Sequence, residues 1–196
     1  MEESVKNEQP RTGSGNGGKE NGGDVRAEIY DWLQSIVSAI VLCILVFIFL
    51  FRVISVDGSS MVPTLHDRDK IIISRLFYTP KQGDIVVLTK NSYGPSSIVK
   101  RVIAVGGQTV DIDFDEGVVY VDGQALDEPY TAAPTNRQLD MQFPVKVDEN
   151  CVFVMGDNRN RSTDSRDSRI GMVDTHCILG RLLFRVLPLS GMGTIK

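Results

Sequence analysis

An apolar run near the N-terminus constrains this chain more than any other feature. From Trp32 to Phe51, 20 residues carry no charge, and Ile36 to Phe51 is apolar throughout except for Ser38. At 1.5 Å per residue a helix of that length spans about 30 Å, the thickness of one hydrocarbon core. A soluble domain of this size has no place for a helix apolar on every face. A cleavable leader fits less well. The segment before the run is long and net acidic, and no small-x-small site follows Phe51. The run is read as a retained membrane anchor over residues 25–52, with Tyr30 and Trp32 placed as interfacial aromatics. Lys19 and Arg26 on one flank, against Arg52, Arg68 and Lys70 on the other, leave its orientation open.

Residues 1–24 hold six of the 18 glycines, mixed with Ser, Asn, Lys and Glu. So polar a stretch cannot offset its ordering entropy and reads as a flexible tail. A nucleotide-binding glycine loop would need a preceding strand, and none precedes Gly13. The rest, residues 53–196, has the composition of a folded domain. The whole chain is 42% apolar and 23% charged, which excludes wholesale disorder. A net charge of −4 offers no basic surplus, so nucleic acid is not an expected partner. Two histidines and three cysteines, with no paired spacing, point to no metal site and no disulfide scaffold.

The body reads as β. Short runs rich in Val, Ile and Phe recur at 53–56, 70–74, 84–89, 98–105, 109–112, 118–121, 143–147, 151–155 and 180–187, bounded by Gly, Pro, Asn or Asp. Asp122-Gly123 between two of them is a hairpin signal. No amphipathic helix pattern follows Phe51. The fold class is therefore mainly β: packed antiparallel sheets or a partly open barrel, with one N-terminal transmembrane helix. Pro129 and Pro134 mark a surface loop within a small excursion around 107–142.

Three stretches carry candidate chemistry. In Asp57-Gly58-Ser59-Ser60-Met61-Val62-Pro63-Thr64-Leu65 a tight turn sets serine hydroxyls at a strand end. In Ile98-Val99-Lys100-Arg101-Val102-Ile103 a basic pair interrupts an apolar strand. Alternation sends one of the two cations toward the core side, where burial lowers a lysine pKa by up to about 3–5 units and yields a neutral amine. Taken alone, this segment reads as an edge strand with both charges solvated. The third stretch runs from Gly156 to Arg169, dense in Asp, Asn, Ser and Arg, with a tandem Asp-Ser-Arg doublet that leaves open which arginine does what.

Together, in this order and behind a membrane span, the motifs resemble those of bacterial type I signal peptidases (leader peptidases) in their shorter, Gram-positive-like form. The matching pieces are Gly58-x-Ser60-Met61-x-Pro63-Thr64-Leu65, Gly83-Asp84-Ile85-Val86-Val87, Lys100-Arg101-Val102 and Gly156-Asp157-Asn158-Arg159-x-x-Ser162-x-Asp164-Ser165-Arg166.

The resemblance implies a membrane-bound serine endopeptidase that removes signal peptides from exported preproteins after Ala-x-Ala-like sites. It needs neither metal nor cofactor. Ser60 matches the nucleophile and Lys100 the general base; Ser162 matches a hydroxyl that orients the amine, and Asp164 and Arg166 match loop-stabilising residues. Val56, Met61, Leu65 and Val99 are the candidate walls of the substrate pockets. The substrate would pair with strand edges near Gly83–Val87 and Ile98–Lys100. The oxyanion would take the Ser60 N–H; where some members add a serine hydroxyl this chain has Gly58, so the second donor is unassigned. The catalytic domain would lie outside the plasma membrane and the tail in the cytoplasm, with the lipid bilayer and preproteins as partners.

Several features take simpler readings. His66 and His176 fall in no matching motif and read as surface residues, against a Ser-His-Asp triad. Asp111 to Glu116 reads as a solvated acidic strand face; a calcium loop would need Gly where Glu116 stands. Cys151 and Cys177 read as small hydrophobes of buried strands, with a disulfide the alternative. Rival functions are a catalytically silent membrane-tethered β-domain that binds exported peptides, which would have lost Ser60 or Lys100, and a self-cleaving Ser–Lys repressor, which would carry a DNA-binding domain instead of an anchor.

Overall fold

The computed structural model describes residues 24–89 and 97–195. The glycine-rich stretch lies outside the described residues up to position 23.

Helix α1 runs Asp24–Leu50, 27 residues, and is long and apolar enough to cross a membrane. Ile, Val, Leu and Phe fall on every side of it, the pattern of a helix that is apolar all round.

The body is antiparallel β. In chain order the strands are β1 (Arg52–Ser55), β2 (Lys70–Ser74), β3 (Ile85–Leu88), β4 (Ile98–Val105), β5 (Thr109–Asp113), β6 (Val118–Val121), β7 (Gln124–Ala125), β8 (Val145–Lys146), β9 (Cys151–Met155), β10 (Val173–Asp174) and β11 (Ile178–Leu187). Seven form a large sheet in the order β1-β2-β11-β3-β4-β9-β10, and four a smaller sheet in the order β7-β6-β5-β8. Register shifts in β11 and between Val102 and Ala104 of β4 mark bulges. Bulges bend and twist strands, and the large sheet curls into an open half-barrel. The small sheet is the excursion seen in the sequence, closed by the Asp122-Gly123 turn. Both turn residues have positive φ, +53° and +78°, as a two-residue primed turn demands.

Short β10 was not legible as a strand, because Val173-Asp174 lacks alternation. The expected strand over 143–147 narrows to Val145–Lys146 around Pro144. The reading of 98–105 as a solvated edge is overturned. β4 lies between β3 and β9, and Lys100 and Arg101 are 3% and 1% exposed. Likewise β3 lies between β11 and β4, so Ile85–Val87 offers no edge to a substrate.

Three apolar clusters hold the body. One gathers Val56, Met61, Leu65, Ile71, Ile73, Val87 and Val99 beneath the turn after β1. A second lies under β3, β4 and β9, with Val86, Leu88, Val102, Val154 and Ile178. The third joins the two sheets: Ile103, Phe153 and Met155 of the large sheet meet Val110, Ile112, Val119 and Val121 of the small one. Phe153 is fully buried there and meets Phe143 edge-on, 5.9 Å between ring centroids. Cys151 packs on this third cluster and Cys177 on the second. The two face different cores, and both are free of a disulfide. Phe153→Ala is expected to destabilise the body by about 3–5 kcal/mol, read as a lowered unfolding midpoint of the detergent-solubilised full chain.

Candidate active site

The turn after β1 is built to present Ser60. Gly58 has φ +87°, where side chains are strained, and its N–H is held by Asp67 Oδ1 at 2.8 Å. A Cβ at Gly58 would meet nothing within 4 Å. It is the backbone angle, not lack of space, that excludes a serine there. Val62 N–H donates to Ser59 O at 3.2 Å and Leu65 N–H to Met61 O at 2.9 Å, which tightens the turn. Met61 and Leu65 drop into the cluster below and leave Ser60 half-buried above it.

Lys100 reaches Ser60 from β4. Its Nζ donates to Ser60 Oγ at 2.7 Å. Burial pushes the lysine pKa down from 10.5 to about 8, with Arg166 adding to the fall; the carboxylates of Asp164 and Asp157 act the other way. Desolvation outweighs the two acids because each acid already has a partner. Arg166 grips Asp164 through Nε at 2.8 Å and Nη2 at 2.9 Å, both groups fully buried. Arg101 grips Asp157 through Nε at 2.8 Å and Nη2 at 2.7 Å, again fully buried. Such charge-assisted bidentate pairs are the strong ones.

The loop after β9 is pinned at several further points. Asp164 Oδ2 accepts Gly156 N–H at 3.0 Å, Ser165 exchanges two bonds with the backbone of Val154, and Arg166 also donates to the carbonyls of Arg159 and Arg137. Asn158 N–H donates to Ser60 O at 3.0 Å and its side chain to Ser59 O, so the loop holds the turn directly. Gly156 is where the two approach most closely. A Cβ there would lie 2.3 Å from Ser162 Oγ and 2.5 Å from Ser60 O. The doublet resolves: Arg166 is the buried partner, whereas Arg169 pairs with Asp167 at the surface. Ser162 is buried, and its hydroxyl makes no hydrogen bond among the described residues. The structure therefore joins Ser60 to Lys100 directly and shows no bond between Ser162 and the amine among the described residues.

A cleft of about 220 Å³ opens at Ser60 and Lys100, lined also by Val56, Gly58, Met61, Val99, Arg161 and Thr163. Leu65 is fully buried behind this wall and does not line it. The ladder between β4 and β9 begins only at Arg101 and Met155, so among the described residues Ile98, Val99 and Lys100 pair with β3 on one side and with no strand on the other. Sequence reasoning missed Arg161 and Thr163, which are marked by position in the motif and not by residue type.

The chain matches the family described as "Signal peptidase, peptidase S26" over residues 29–187. The chain belongs to the signal peptidase family. Among named relatives, signal peptidase I S of Bacillus subtilis is 37% identical over 85% of this chain and 94% of its own length. Probable signal peptidase I-1 of Synechocystis is 37% identical over 80% and 82%. A crystal structure of a signal peptidase I from Enterococcus faecalis is 28% identical, covers 54% of this chain and 97% of that one, and superposes with a TM-score of 0.46. His66 and His176 are exposed, and His176 meets Asp174 at the surface.

Two outcomes follow from this geometry. Gly156→Ala forces the loop off the Ser60 carbonyl; activity on a signal-peptide substrate should fall by about two orders of magnitude, because misplacement on the ångström scale has that effect, while the unfolding midpoint moves far less. Lys100→Met should stabilise the fold at neutral pH. Below both pKa values the lysine is charged in either state, and burying that charge opposes folding by about 3 kcal/mol, from 10.5 against about 8 at 1.36 kcal/mol per unit. The unfolded chain holds that proton more tightly, so wild-type stability rises from about pH 8 to 10.5 and the advantage of Lys100→Met shrinks. Thermal unfolding of both proteins at neutral pH and near pH 10 reads this; a gain independent of pH would discard it.

Proposed function

We propose that this protein is a signal peptidase that cleaves signal peptides from exported preproteins, using Ser60 as nucleophile and Lys100 as general base. The observation that carries the reading is the 2.7 Å contact between Ser60 Oγ and an amine whose pKa burial has lowered to about 8. A serine hydroxyl is a poor nucleophile until a neighbouring base takes its proton, and only the neutral amine has the lone pair to do so.

Ser60 Oγ attacks the scissile carbonyl as its proton passes to Lys100 Nζ. The resulting ammonium protonates the departing amine, which leaves an acyl-enzyme on Ser60. A water, deprotonated by the same amine, then attacks the acyl carbon; the acyl–Oγ bond breaks, the ammonium returns the proton to Ser60 Oγ, and the acid leaves. The ammonium form has three donors, and the Ser162 hydroxyl, buried without a hydrogen-bond partner among the described residues, is the acceptor proposed for one of them. Asp164 and Arg166 keep that hydroxyl in place by fixing the loop that bears it. The Ser60 N–H, which no turn hydrogen bond uses, is the proposed oxyanion donor.

The substrate is an extended chain laid along the unpaired side of Ile98–Lys100, with Val56, Met61 and Val99 shaping shallow apolar pockets that admit small side chains before the cut. Helix α1 is the proposed single-pass anchor in the cell membrane, with the tail in the cytoplasm and the catalytic domain on the outer face. Preproteins tethered in the same bilayer then arrive at high effective concentration.

The test is cleavage of a detergent-dispersed preprotein or an Ala-x-Ala peptide by wild type, Ser60→Ala and Lys100→Met. Wild type should cut after the second alanine, both variants should be folded and inactive, and kcat/KM should rise with pH through about 8 as Lys100 loses its proton. Full activity in either variant, or a flat pH profile, would sink the dyad. Binding of the peptide without any cleavage would favour a silent peptide-binding domain.

A further inference from the structure

The segment Glu128–Asp140, between β7 and β8 of the small sheet, contributes nothing to the cleft. Yet it is bolted to the catalytic loop along its whole length. Glu128 accepts two short bonds from Arg159, Nη1 at 2.7 Å and Nη2 at 2.6 Å, and this guanidinium is fully buried. Arg159 also donates to Thr135 Oγ1 and, through Nε, to Gly156 O. Asn160 Oδ1 accepts the N–H groups of Asn136 and Arg137, Arg137 O accepts Arg166 Nη1, and Asp140 holds Ser168. Tyr130 completes the arrangement. Its hydroxyl donates to Glu128 Oε1 at 3.0 Å, and its ring lies flat under Arg101, 3.9 Å from guanidinium carbon to ring centroid. Three of its in-plane N–H donors go to Asp157 and to Gly83 O, and the ring covers a face of the guanidinium, where no N–H points.

We propose that Glu128 and Tyr130 are positioning residues for the reaction: Tyr130 clamps Arg101, and through it Asp157, beside Lys100, while Glu128 fixes Arg159 and the Gly156 carbonyl behind Ser60. The inference rests on the Ser60–Lys100 reading. Its logic is electrostatic as well as mechanical. The charged groups that act on Lys100 are Asp157, Asp164 and Arg166; Arg161 lines the cleft, and Arg101 follows Lys100 on the strand. If Arg101 swings away, Asp157 stands uncompensated and holds the proton on Lys100 more tightly.

The experiment compares the pH dependence of kcat and KM for the full chain in detergent, in wild type, Tyr130→Phe, Tyr130→Met and Glu128→Gln. Tyr130→Phe keeps the ring over Arg101 and should retain most of the wild-type rate. Tyr130→Met should lower kcat by about tenfold or more with little change in KM, and move the alkaline limb upward by about half a pH unit or more. Glu128→Gln should lower kcat in the same sense. Loss of activity with the limb unmoved would mean a merely structural role and overturns the proposal, as does an unchanged kcat in a folded Tyr130→Met protein. If Tyr130→Met does not fold, Glu128→Gln decides, and wild-type values there overturn the proposal. A wild-type profile with no limb would instead remove the Lys100 assignment and this inference with it. A wild-type limb near the expected pH that the variants leave untouched removes this inference alone.

Discussion

The buried pair between Arg101 and Asp157 joins three pieces of chain that are far apart in sequence. Arg101 belongs to β4, Asp157 to the loop after β9, and Asp157 in turn accepts the Thr64 hydroxyl at 2.5 Å from the turn that bears Ser60. Lys100 and Arg101 are adjacent on an extended strand, so they project in opposite directions. When Arg101 is fixed, the direction of Lys100 is fixed as well. Neither charge of the pair can leave without stranding the other in a dry interior, which typically costs about 3–5 kcal/mol. The contact between Ser60 and Lys100 is thus a consequence of a buried ion pair next to it in the chain.

The same economy explains the electrostatics. A lysine surrounded by two carboxylates ought to hold its proton more firmly. Here each carboxylate is closely matched by an arginine, and what remains is the penalty of desolvation, which favours the neutral amine. Three buried arginines, at 101, 159 and 166, therefore act as counter-charges and as rivets at once. A shell of hydrophobes of equal volume would lower the lysine pKa too, but would not hold the loop against the turn.

Most of the architecture could be read from residue types. Strand runs, the Asp122-Gly123 hairpin and the apolar helix all follow from local propensity and periodicity, and tertiary packing did not override them. Motif order singles out Ser60 and Lys100, and the structure sets their side chains 2.7 Å apart. Physical reading alone preferred a solvated edge for Lys100-Arg101, because burying two adjacent cations is favourable only if partners arrive from elsewhere. Those partners sit more than 50 residues downstream, and sequence spacing does not show them. Leu65 was misplaced into the pocket wall because an apolar residue in a motif can face the cleft or the core, and turn geometry decides. The role of Glu128 and Tyr130 was invisible for the same reason: a proline-rich loop gives no sign of what it docks against.

The ladder between β4 and β9 begins only at Arg101. A chain aligned with the unpaired stretch of β4 can therefore add about three residues, roughly 10 Å, before it runs into the end of β9. On the proposed binding mode the sheet itself would act as a ruler with a stop. Recognition would then read the shape of the main chain first, demanding an extended conformation of limited length, and consult side chains only where they sink toward the wall. A catalyst organised in this way tolerates great diversity in the polypeptides presented to it, provided that each can briefly surrender its own folded structure at the point of cutting.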